Sequence, residues 1–435
     1  MSVLMPPVRR GMTVLNRDAF KATYETLGVR VPAKNVGLFM KNMSRELLNQ
    51  PRLRNVTKDP QSNETKLVLL RPDLKQEDLE KLPDAMKLIE TEGLGIVQHN
   101  FELGYDYWTA DQILHAVMPE NATDIPSSFT QIGHIAHMNL REEYYPWKQL
   151  IGEVILDKNK NITTVVNKTS NIDTTFRFFQ MEVLAGENNM IAEVKESGCR
   201  FKFDFSKVYW NSRLHTEHDR LVQQFRPGEY ICDVFAGVGP FALPAAKKGS
   251  IVYANDLNPS SFEWMNQNIR ANKITEGIYT YNLDGREFIR KAVRDLQATS
   301  QQWKTFDHFV MNLPATAIEF LDAFHGLYTE QKQLFASTAS AKLPTIHCHC
   351  FTKSPSPKQD ILERVQQALG ASVDNEKTKL HLVRNVAPKK DMYCISFPLS
   401  PEVAFALPRE KRKREQDELS GTQTPKTPKT NDGVQ

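Results

Sequence analysis

Asp233-Val-Phe-Ala-Gly237-Val-Gly239-Pro-Phe-Ala242 is the stretch on which the reading of this chain turns. The apolar run Tyr230 to Phe235 reads as a strand and Phe241 to Lys247 as a helix, so the glycines fall at a strand-to-helix junction. Glycine there permits a sharp turn and lets a ligand approach the backbone. The same alternation continues with a strand at Ile251 to Asn255, a helix at Ser260 to Asn272, and strands at Ile278 to Asn282, Phe306 to Met311 and Thr345 to Phe351. Such a pattern predicts a Rossmann-like α/β fold, with a parallel sheet covered on both faces. Leu380 to Asn385 and Met392 to Phe397 add a closing antiparallel pair.

Polar residues gather where this fold binds ligands, at the carboxyl ends of the strands. Asp256 lies 23 residues beyond Asp233, placed to accept hydrogen bonds from two ribose hydroxyls. Asn282-Leu-Asp284-Gly285 follows the third strand, where a carboxylate reaches an adenine amino group, and Asn312-Leu-Pro314 ends the fourth. Taken alone, Gly237, Gly239 and Ala242 also satisfy the looser dinucleotide pattern, and Asp256 and Asp284 read equally well as turn or helix-cap residues. The combination points to a nucleoside-containing cofactor.

Outward from this core the texture changes. Residues 131–205 carry short β-rich runs, Leu150 to Leu156, Thr163 to Asn167, Met181 to Leu184 and Met190 to Val194, which predict a small β-rich domain. Residues 18–126 are mixed, with helical periodicity at Asp78 to Thr91 and a strand at Lys66 to Leu70, and predict a separate α/β module. Residues 1–17 hold Arg9, Arg10 and Arg17 without an acidic residue, and read as a flexible basic arm or an organelle presequence, although Pro6 and Pro7 interrupt any amphipathic helix. Residues 409–435 carry a basic run and a Thr-Pro-Lys repeat, a composition expected to be disordered.

A chain of 435 residues suits two or three domains of about 100 to 200 residues each. The sequence is 40% hydrophobic and 25% charged, and has no apolar run of about 18 residues, so a membrane protein is not expected. A net charge of +3, from 55 basic and 52 acidic residues, means that a polyanionic partner must be held by local basic patches. Five cysteines without framework spacing give no disulfide signal.

Several blocks, in order, carry a resemblance. They are Gly133-His-Ile-Ala-His-Met-Asn-Leu-Arg141, Val154-Ile-Leu-Asp-Lys158, Phe176-Arg177, Val208-Tyr-Trp-Asn-Ser-Arg213, Thr216-Glu217-His218, the glycine turn and Asn312-Leu-Pro314. With them the chain resembles the archaeal and eukaryotic tRNA (guanine-37-N1) methyltransferases, on the class I S-adenosylmethionine-dependent fold. The resemblance implies a methyltransferase domain at 206–408, and a tRNA-recognition module at 18–126. It also implies contacts to S-adenosylmethionine from His218, Asp256, Leu257, Asp284, Gly285 and Asn312, with the turn at Gly237 and Gly239 beneath the methionine moiety. Further implications are a tRNA substrate with guanosine at position 37, no required metal, a monomer, and action in cytoplasm, nucleus and mitochondria.

Guanine N1 carries a proton at neutral pH, so methylation there requires a base and a donor to the electron-rich O6. The resemblance points to Glu217 as base, Arg177 as donor and Asn312 as an orienting group. From the residues alone, Glu217 would be a helix-start carboxylate and Arg177 a surface strand residue. Tyr209 and Trp210 are stacking candidates for an extruded base, with core packing expected for at least one. Arg213 is a candidate phosphate contact. His347-Cys-His-Cys350 invites a metal reading, but alternate strand residues face opposite sides, which separates the pairs. Other readings are a methyltransferase of another tRNA base, a NAD-dependent oxidoreductase and an RNA-binding protein without catalysis.

Overall fold

The computed structural model describes residues 4–169, 180–299, 303–337 and 342–407. The chain divides into two compact units, Met1–Ser170 with Gln180–Asn189, and Asn171–Phe179 with Met190–Gln435.

The first unit holds two four-stranded sheets. One has the order β2-β3-β1-β4, from β1 (Ala22–Pro32), β2 (Val56–Asp59), β3 (Ser62–Leu69) and β4 (Ile96–Leu103), all paired antiparallel. Helices pack on it through Phe39, Leu79 and Ile89 against Val29 and Val31. The other has the order β5-β6-β7-β8, from β5 (Thr130–Ile132), β6 (Ile135–Met138), β7 (Thr164–Lys168) and β8 (Met181–Gly186).

Two expectations for this unit change. The run Leu150 to Leu156, expected as a strand, lies in the helix Lys148–Lys158. Its apolar residues Leu150, Ile151, Val154 and Ile155 are spaced for one helical face, and all are buried. Gly152 lets that face approach the sheet, because an added Cβ would lie 2.6 Å from Leu184 Cβ. Gly152→Ala is therefore expected to lower stability by about 1 to 3 kcal/mol through overpacking, read as a reduced thermal midpoint; an unchanged midpoint would mean that the helix can move away freely.

The second correction concerns the flexible arm expected at 1–17, whose described residues are docked. Leu4 and Leu15 are buried in the same apolar cluster as Trp108, Leu114, Ala136 and Leu150. The Arg9 amide donates to the Ala116 carbonyl (2.7 Å), and Arg10 donates to the carbonyls of His115 and Met118 at the end of the helix Ala110–Val117. The arm thus satisfies carbonyls that a helix end leaves unpaired. That shared cluster also joins residues expected in 18–126 to residues expected in 131–205, so no break between cores falls there.

The second unit begins with a two-stranded ribbon, β9 (Ile191–Glu196) and β10 (Cys199–Asp204). A seven-stranded sheet follows, from β11 (Tyr230–Asp233), β12 (Ile251–Asn255), β13 (Ile278–Tyr281), β14 (His308–Met311), β15 (Thr345–Thr352), β16 (Lys379–Ala387) and β17 (Lys390–Pro398), in the order β13-β12-β11-β14-β15-β17-β16. The first five in that order run parallel, while β17 is antiparallel to both β15 and β16. This is the predicted sheet with its closing hairpin. The β-rich stretch expected at 131–205 is accordingly divided, its sheet in the first unit and its ribbon in the second.

The alternation expected along His347 to Cys350 holds. Cys348 and Cys350 enter the apolar core with Phe309 and Ile395, whereas His347 meets His308 (3.0 Å) and Ser396 (2.8 Å), and His349 meets Glu217. No described helix is long and apolar enough to cross a membrane. The tail 409–435 lies outside the described residues.

Candidate active site

Strand order reverses between β11 and β14, and there, at the carboxyl ends, a cavity of 470 Å³ opens. Seven of the eight residues expected to hold the cofactor line it: His218, Gly237, Asp256, Leu257, Asp284, Gly285 and Asn312. The eighth, Gly239, has another task. Its φ is +98°, and an added Cβ would lie 2.2 Å from Leu243 Cδ1, so it permits the turn and the close packing of the following helix.

Asp256 is built into the turn. Its Oδ2 accepts from the Gly237 amide (2.8 Å) and its Oδ1 from the Asn258 amide (2.9 Å). Burial pushes the carboxyl up to about 6 against those two amides. Asn282 Nδ2 donates to the carbonyls of Asp256 and Leu257, which fixes the loop after β12 against the loop after β13. Asn255, buried at the end of β12, spans the neighbouring loops: its Nδ2 donates to the Val234 and Leu283 carbonyls and its Oδ1 accepts from the Leu283 amide. Sequence reasoning missed Asn255 as an organiser of the site, because its partners lie 21 and 28 residues away.

Asp284 combines the cap and ligand readings. Its Oδ1 accepts from the Arg286 amide (2.9 Å) at the start of the helix Gly285–Thr299. Its Oδ2 has no partner among the described residues. A Cβ on Gly285 would lie 2.9 Å from the Phe235 ring and 3.1 Å from the Phe320 ring. Those rings meet edge to face at 5.0 Å, and Arg286 lies over Phe320. No periodic signal in the sequence points to Phe320. Asn312 lines the cavity, and its Oδ1 is buried without a hydrogen-bond partner among the described residues. At the base of the turn, burial and then Asp256 push the Asp233 carboxyl up to about 8, and neither of its oxygens is paired among the described residues.

Glu217 is beside the cavity and does not line it. It sits in the first turn of the helix His215–Gln224 with its side chain turned inward and 1% exposed. Arg220 donates to both of its oxygens (2.6 and 2.8 Å), His349 Nε2 lies 2.7 Å away, and His381 lies at 3.6 Å. Burial opposes the charge, but Arg220 and His349 outweigh it and hold the carboxyl at about 2. Glu217, His349 and Cys394 have donor atoms within 4.8 Å of one another, a spacing that fits a metal ion. Arg220 already supplies a cation to this carboxylate.

The remaining candidates separate. Trp210 and Tyr209 both line the cavity, but Trp210 is buried and stacked on Phe203 at 4.9 Å, the packing role, whereas Tyr209 is 40% exposed. Arg213 is exposed, and its guanidinium has no partner among the described residues. Arg177 lies outside the described residues.

An open parallel sheet closed by an antiparallel hairpin, with acidic residues after its second and third strands facing a switch-point cleft, defines a class I methyltransferase fold. The TRM5/TYW2 methyltransferase domain matches residues 192–334, and the TYW2 N-terminal domain matches residues 110–189. The chain is 45% identical to the tRNA (guanine(37)-N(1))-methyltransferase of Batrachochytrium dendrobatidis over 94% of this chain and 93% of the relative. It is 47% identical to that of Schizosaccharomyces pombe (91% and 95% covered) and 43% identical to that of Homo sapiens (91% and 78% covered). The chain belongs to the tRNA (guanine(37)-N(1))-methyltransferase family. Among solved structures, Trm5b from Pyrococcus abyssi aligns with a TM-score of 0.57 at 25% identity, covering 86% of this chain and 99% of that one. The complex of aTrm5 and tRNALeu shares the fold, with a TM-score of 0.59 at 19% identity, over 86% of this chain and all (100%) of that one.

Proposed function

We propose that this chain transfers the methyl group of S-adenosylmethionine to N1 of guanosine 37 in tRNA, the site of action in its relatives' names. The observation that carries the cofactor is the set of polar residues lining one cavity, Asp256, Asp284 and Asn312. Asp256 would receive the ribose hydroxyls, and the slot at Gly285 between Phe235 and Phe320 would receive the adenine. The cofactor supplies a methyl group activated by its positive sulfur, so the protein's tasks are deprotonation, alignment and exclusion of water. Tyr209, exposed at the cavity, is placed to stack on an extruded base.

Glu217 is proposed as the base that removes the N1 proton, and Arg177 as the donor to O6. In support, Glu217 is ionised and adjoins the cavity residue His218. To accept a proton it must be released by Arg220 or His349. Their hold favours a second reading, in which Glu217 anchors the helix and another group takes the proton. A monomer acting in cytoplasm, nucleus and mitochondria completes the proposal. The decisive assay is transfer of labelled methyl to paired tRNA transcripts with guanine or adenine at position 37, followed by nucleoside mapping. N1-methylguanosine only in the guanine transcript is expected; label elsewhere would discard the substrate, and no label would discard the reaction.

A further inference from the structure

Resting on the cofactor reading above, we infer that Glu196 is a positioning residue that holds His218 as the donor to the amino-acid carboxylate of the cofactor. Glu196 ends β9, on the ribbon that precedes the sheet. Its Oε1 lies 2.5 Å from His218 Nδ1, with the two side chains 9% and 4% exposed. The imidazole stands edge-on to Phe241, with ring centroids 4.7 Å apart. A buried carboxylate on one ring nitrogen fixes which nitrogen faces it, and the packed ring then directs the other.

That other nitrogen, Nε2, has no partner among the described residues, and His218 lines the cavity. The cavity residue packed against it is Phe241, which ends the glycine turn, and Gly237 and Pro240 of that turn line the same cavity. Asp256 and the slot at Gly285 are committed to ribose and adenine, so the turn end is left for the methionine moiety. That moiety carries a carboxylate and an ammonium, and the two compete for the histidine. A carboxylate on each side stabilises the doubly protonated ring, with Nδ1–H donating to Glu196 and Nε2–H to the ligand. The ammonium would need the neutral ring, which leaves the buried Glu196 without a cation.

The ligand's own functional groups provide the test. Calorimetry compares S-adenosylhomocysteine with 5′-S-(3-aminopropyl)-5′-thioadenosine, which keeps the amine and lacks only the carboxylate. The unaltered protein is expected to prefer the first by about 10- to 100-fold, the loss of one charge-assisted hydrogen bond. Glu196→Gln should reduce that preference to under about threefold while affinity for the decarboxylated compound stays the same. A preference that survives Glu196→Gln overturns the inference, as does an equal loss of both ligands, which marks a purely structural role. An unaltered protein that binds neither ligand overturns the cofactor reading itself.

Discussion

Asp256→Ala is expected to weaken S-adenosylmethionine binding by about 2 to 4 kcal/mol, roughly 30- to 1000-fold in calorimetry. Two losses combine. The ribose hydroxyls lose a charged acceptor, and the amides of Gly237 and Asn258 lose the carboxylate that shapes the turn. Because the carboxyl is pushed up to about 6, its accepting form disappears as pH falls through that value. Affinity of the unaltered protein should therefore decline below about pH 6, and Asp256→Asn should bind weakly with that decline removed. Equal affinity of protein and variant at neutral pH would place the cofactor elsewhere.

Glu217→Gln should reduce the methyl-transfer rate by about 10²- to 10⁴-fold, the usual contribution of a general base, with cofactor affinity changed by less than about threefold. It should also destabilise the fold by about 3 to 5 kcal/mol, since the substitution leaves Arg220 and the buried His349 facing a neutral amide. Burial alone would lower the imidazole of His349, yet Cys394 and Glu217 push it up to about 10. The sign of the linkage follows from the carboxyl at about 2 against its ordinary 4.5: the stabilisation is complete above 4.5 and is lost as pH falls from there toward 2. At saturating cofactor, the acid limb of the rate should therefore not come from this group. A folded variant with an unchanged rate removes Glu217 as base and leaves it an anchor.

The parallel core was legible because its signals are local: an apolar run, a glycine turn and a helix each fit within a few residues. Asp256 and Asp284 were legible for the same reason, each standing just beyond a strand. The helix Lys148–Lys158 was misread because four of its residues are Leu or Ile and its apolar core positions fall in two adjoining pairs, a pattern that also suits a short buried strand. The arm was misread because its arginines were weighed as charge, whereas two of them serve as donors to nearby carbonyls and Leu4 is anchored in a core. The surroundings of Glu217 were not legible at all. His349 is 132 residues away, and only the order of the strands brings it there.

The position of β17 bears on how the chain emerges from the ribosome. It is the last of the described strands to be made, yet it lies inside the sheet between β15 and β16. Until Lys390–Pro398 has been synthesised, β15 presents a complete open edge, Thr345 to Thr352, whose side chains are destined for the interior on both faces. An unpaired apolar edge of that length recruits other strands. Nascent chains that stall or stop between β16 and β17 would therefore be sticky toward one another, and the step that most needs a chaperone falls after β16 has already been made.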